Sequence, residues 1–91
     1  MTKFAPNFAK LYYGARSVSV LDKFSEISID PSSESHLSLL RDKITERLTE
    51  VSGGFRPSAP KIRVFETSRG TKHISFHGSN RAFEVRFKEV A

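Results

Sequence analysis

The chain reads as an α+β domain ordered β-β-α-β-β-β, an antiparallel sheet packed on one long helix, with a short N-terminal helix or arm. Three features carry that reading. Leu37, Leu40, Ile44, Leu48 and Val51 recur at steps of three and four, which sets one apolar stripe along a helix. From residue 61 onward apolar and polar residues alternate, the period of strands with one buried face. Turn formers at 67–71 and 78–81 divide that stretch into three strands.

The elements follow in chain order. Phe4, Phe8 and Leu11 fall at helical spacing with Pro6 placed for a first turn, so residues 6–13 are expected as a short helix ending at Gly14. An extended arm held down by its aromatics is the alternative. Val18 and Val20 alternate with serines and suggest a strand. Residues 24–29 suggest another, with Asp22-Lys23 as the hairpin turn between them. Asp30-Pro31-Ser32-Ser33-Glu34 supplies cap residues, a proline suited to a first turn and an early acid, and it opens the helix. Gly53-Gly54 closes it, and residues 55–60, with two prolines, make a stiff connection. Strands are expected at 61–66, 72–77 and 82–90.

With 91 residues, the chain is expected to form a single domain, 1–91, with one thin core. Cysteine is absent, which removes disulfides and thiolate chemistry and favours a reducing compartment. No signal-peptide core or membrane-spanning run is present, so the expected location is cytoplasmic, away from membranes.

Charge is distributed unevenly. Residues 55–91 carry eight Lys/Arg against Glu66, Glu84 and Glu89, a balance of +5, which equals the net charge of the whole chain. Strand parity sends Ile62, Val64, Ile74, Phe76, Phe83, Val85 and Phe87 to the helix side. The opposite face collects Lys61, Arg63, Phe65, His73, Ser75, His77, Glu84, Arg86 and Lys88. Short turns would align Lys61–His77–Ala82, Arg63–Ser75–Glu84 and Phe65–His73–Arg86, with Arg63 and Glu84 as a cross-strand ion pair.

Lys61, Arg63, Phe65, His73, His77, Arg86 and Lys88 are thus the candidate nucleic-acid-binding set. Guanidinium forks can hold phosphate oxygens, and Phe65 could stack on a base unless the N-terminal arm covers it. Some four phosphate contacts would give log K a slope of about −3 to −4 against log[salt].

Other constellations fail on geometry. His73 and His77, four apart on a strand, stand about 13 Å from one another, too far to share a metal ion. His36, at the helix start, has no acidic partner close in sequence. Asp30, Glu66 and Glu84 are isolated carboxylates, and the glycines form no phosphate-cradling loop. His73-Ile74-Ser75-Phe76 has the form used by two-histidine phosphoesterases, which need a second copy that this chain lacks. No catalytic residue, cofactor, metal or small-molecule substrate is therefore assigned.

The leading expectation is a small basic nucleic-acid-binding regulatory protein. A second reading takes Phe4, Phe8, Tyr12 and Tyr13 as an interface for a protein partner or a homodimer, as in small phage-type inhibitors and adaptors. A third rests on architecture. In size, charge and strand count the chain is similar to the RelE-like messenger-RNA interferase toxins, although those usually place two helices before the meander. That resemblance implies metal-free RNA cleavage, with His73 moving a proton and Arg63 and Arg86 clamping phosphate.

Overall fold

The computed structural model describes residues 1–53, 60–78 and 82–90. The connection expected at 55–60 therefore lies outside the described residues except for Pro60. So do Gly54 of the helix stop, Ser79, Asn80 and Arg81 of the second turn, and Arg56 of the basic segment.

Among the described residues six strands form one antiparallel sheet and one α-helix packs on one side of it. The strands are β1 (Thr2–Tyr13), β2 (Arg16–Ser19), β3 (Ile27–Ile29), β4 (Lys61–Glu66), β5 (Lys72–His77) and β6 (Phe83–Glu89), with helix α1 (Glu34–Val51) between β3 and β4. The sheet order is β2-β1-β6-β5-β4, with β3 also paired to β1. This is the expected α+β architecture with one more strand, supplied by the N-terminus.

That strand corrects the expected helix at 6–13. β1 pairs with β6 from Phe4↔Glu89 to Leu11↔Phe83, and the register shifts between Pro6 and Phe8. The shift is a bulge, where a proline without an N–H is tolerated inside a sheet. It also moves Phe4 and Phe8 to opposite faces, although both have even numbers. Phe4, Ala9 and Leu11 are buried in the core, while Phe8, Lys10 and Tyr12 take the other side. One inserted residue thus made a period of two look like a period near four.

The expected hairpin around Asp22-Lys23 does not form. The tight turn comes earlier, at Gly14-Ala15, where Gly14 has φ of 64° and Tyr13 pairs with Arg16. β2 and β3 then lie end to end along the same edge of β1, separated by a 3₁₀ turn at Leu21–Lys23. Val20 N–H donates to Ala9 C=O before the chain leaves that edge.

Helix α1 starts one turn later than its proline suggested. Ser33 is the N-cap, its Oγ accepting from His36 N–H at 3.3 Å, and Pro31 lies in the turn before it. Asp30 Oδ1 accepts from the Ser32 hydroxyl at 2.6 Å and its N–H at 3.0 Å. The hydroxyl bond, then the N–H bond, holds the carboxyl below its ordinary value of 3.8. His36 is not an idle first-turn residue: its Nδ1 accepts from Asp30 N–H at 2.9 Å.

Leu40, Ile44 and Leu48 bury the helix stripe, with Leu37 and Val51 at its ends half-buried. They pack on Phe4, Leu11, Ile74, Phe76, Phe83, Val85 and Phe87, all of them nearly or fully excluded from solvent. Inward parity weakens only at the sheet margin, where Ile62 is half-buried and Val64 is 40 % exposed. β4 overhangs the layer that the helix covers.

Candidate nucleic-acid interface

With α1 on one side, the opposite side of the sheet is, among the described residues, a face made by strands. Three rows cross it from β1 through β6 and β5 to β4: Lys10–Glu84–His77–Lys61, Phe8–Arg86–Ser75–Arg63 and Ala5–Lys88–His73–Phe65. All seven residues of the sequence-derived set stand in these rows. Five cations (Lys10, Lys61, Arg63, Arg86, Lys88) face one carboxylate, Glu84, a formal balance of +4.

The rows differ from the expected alignment between β5 and β6. β6 is displaced by two residues, so Glu84 stands beside His77, Arg86 beside Ser75 and Lys88 beside His73. The cause is a wider turn: Gly78 N–H donates to Phe83 C=O, and the buried Phe83 ring lies against Gly78. A displacement of two preserves the faces, so the set stays together while its neighbours change. The expected Arg63–Glu84 pair is absent. Glu84 instead receives Arg86 Nε at 2.7 Å along its own strand. Arg63 lies across Ser75 from Arg86 and has no carboxylate in its row.

Two aromatic centres organise the face. Phe65 is not under an N-terminal arm, since that segment is a strand within the sheet. Its ring stacks on the His73 imidazole, 5.1 Å between centroids and 5° between planes, and the Arg63 guanidinium lies 5.1 Å from its centroid. Phe8 is the second centre, with the Arg86 guanidinium 5.2 Å and Lys10 Nζ 5.4 Å from its centroid. Such contacts bias the cations toward the sheet surface by about 0.5–1 kcal/mol each at exposed positions. Phe8, Phe65 and His73 are each half-buried.

Phe8 and Lys10 were not recognised as part of this face from the sequence. The signal was the alternation Phe8-Ala9-Lys10-Leu11-Tyr12, hidden by the bulge that precedes it. The proposed aromatic interface is dispersed accordingly. Phe4 is fully buried and cannot meet a partner, Phe8 and Tyr12 belong to the basic face, and Tyr13 is 52 % exposed beside the turn to β2.

The cleavage trio is spread over two rows: His73 stands between Lys88 and Phe65, while Arg63 and Arg86 flank Ser75. Among the described residues no group of three His, Cys, Asp or Glu side chains is placed to hold a metal ion. No helix among the described residues is long and apolar enough to cross a membrane. Against known protein families, curated proteins and solved structures, the chain matches none.

Proposed function

We propose that this protein acts by binding nucleic acid on the face of its sheet opposite α1, a role of regulatory rather than catalytic type. The observation that carries the reading is the row Phe8–Arg86–Ser75–Arg63, which joins two guanidiniums and a half-buried aromatic ring across four strands. Lys61, Lys88 and Lys10 extend the positive field above and below it. Cations of one sign gathered on one face attract a polyanion, and the released counterions supply most of the affinity. The mixture of Arg and aromatic side chains adds contacts to sugar and base that a plain lysine patch lacks.

The test is retention on heparin and binding of a fluorescein-labelled random oligonucleotide, measured from about 50 to 200 mM salt. Binding that weakens steeply with salt supports the reading. Loss of that binding in an Arg63→Ala, Arg86→Ala double variant locates it. A pull-down from lysate whose protein partners survive nuclease treatment, together with no oligonucleotide binding at low salt, overturns it.

A further inference from the structure

We infer that the nucleic acid taken by this face is single-stranded, held by two base-stacking stations at Phe8 and at the Phe65–His73 pair. The inference rests on the nucleic-acid reading above and specifies its ligand. Width argues first. β1 and β4 are three strand spacings apart, about 14 Å at about 4.8 Å per spacing, before side chains are added. The major groove of duplex DNA is about 12 Å wide and admits one helix or a two-stranded ribbon. A four-strand platform cannot enter it. Neither end of α1 stands on this face to serve as a reading helix, because the helix packs on the opposite side.

Chemistry argues second. A base could extend the Phe65–His73 stack or take the place of a cation over Phe8, and only an unstacked base can do either, since a duplex hides its base faces in its own stack. Each station combines a ring with an arginine, Phe8 with Arg86 and Phe65 with Arg63. Guanidinium planes stack on bases as rings do, and their outer N–H groups reach phosphate.

The stations also have a defined relation. Phe8 and Phe65 occupy adjacent rows on the first and last of the four strands. Three spacings across and two residues along place them about 16 Å apart. The direct path between them passes Arg86, Ser75 and Arg63. Ser75 is the one buried polar residue among those described, small enough to leave the backbone track low between the two arginines. A strand laid on this path would stack a base at each end and carry its phosphates past the guanidiniums.

The test compares a fluorescein-labelled 12-nucleotide oligo-dT, an oligo-U of the same length and a 12-base-pair duplex by fluorescence anisotropy. Wild type, Phe8→Leu and Phe65→Leu are used, with circular dichroism to verify folding. Leucine keeps the apolar bulk and removes the π-face. Binding of either single strand at least tenfold more tightly than the duplex supports the inference. A further loss of about five- to twentyfold in each variant, with the salt slope unchanged, supports stacking. Equal binding of duplex and single strands, or Leu variants that bind like wild type, overturns the single-strand assignment while leaving nucleic-acid binding intact. No binding to any of the three overturns both. Should either Leu variant unfold, Phe65→Tyr, which keeps the ring, must bind like wild type, and its failure to do so counts against stacking.

Discussion

The imidazole of His73 lies parallel to the ring of Phe65, 5.1 Å away between centroids, across the last pair of strands in the sheet. A cross-strand pair at an edge contributes about 1 kcal/mol or less. Phe76, on the opposite face of the same two strands and fully buried, is worth about 3–5 kcal/mol on truncation to Ala. Phe65→Ala should therefore barely move the urea midpoint, whereas Phe76→Ala should abolish a cooperative transition. Two such losses of equal size would mean that Phe65 is a core residue and not a surface platform.

Helix α1 is attached through three buried side chains, so each is costly to shorten. Leu40→Ala or Ile44→Ala should cost about 2–4 kcal/mol through lost burial and the cavity left behind. A domain of this kind has roughly 5 kcal/mol to lose. Thermal unfolding followed by circular dichroism should show either variant close to unfolded at 37 °C. Leu39→Ala is the internal control: that side chain is 61 % exposed and its removal should be nearly silent.

Gly78 is required by space rather than by backbone angle. A Cβ there would sit 2.7 Å from Cε1 of Phe83, whose ring is held in the core. Gly78→Ala should cost about 1–3 kcal/mol by overpacking. Because the clash is with one ring, Gly78→Ala combined with Phe83→Leu should cost less than the two single losses added together. Strict additivity in denaturant unfolding would reject that origin.

The helix and the C-terminal meander were legible because their periods, 3.6 and 2, run unbroken through Leu37–Val51 and within each of the segments 61–66, 72–77 and 83–89. β1 was not, because the bulge between Pro6 and Phe8 breaks the alternation and leaves Phe4, Phe8 and Leu11 at helix-like spacing. The same break concealed Phe8 and Lys10 of the candidate site. Parity assigned Lys61 through Lys88 to one face, but parity describes a strand and its hairpin partner alone. That β1 pairs with β6, bringing Phe8 and Lys10 beside Arg86 and Glu84, is a contact between the two ends of the chain. Local pattern carries no information about such a pairing. The two-residue displacement of β6 goes with the Gly78–Phe83 contact, which is equally invisible to periodicity.

Asp30 gives the helix start a pH dependence of known sign. Its folded pKa is lowered from 3.8, chiefly by the Ser32 hydroxyl and next by the Ser32 N–H. A depressed acid contributes stability above its unfolded pKa and loses it as pH falls through the folded one. The stability difference between wild type and Asp30→Asn should thus shrink as pH falls below 3.8. Urea midpoints across that range measure it. A difference that widens in acid would contradict the Ser32 bonds as the cause.

Arg63 and Arg86 separate binding from folding. Both are exposed, and the one ion pair between them and the described carboxylates, Arg86 with Glu84, is a surface pair that contributes little. The Arg63→Ala, Arg86→Ala double variant should unfold within about 1 kcal/mol of wild type. Its affinity for an oligonucleotide should fall at every salt concentration. Each phosphate contact on a single strand adds about −0.7 to the slope of log K against log[salt], so removing two should flatten the slope by about 1.4. A weaker affinity with an unchanged slope would mean that neither guanidinium displaces counterions. The phosphates would then lie nearer Lys61, Lys88 or Lys10, and the backbone track would have to be redrawn along the lysine rows on either side of Ser75.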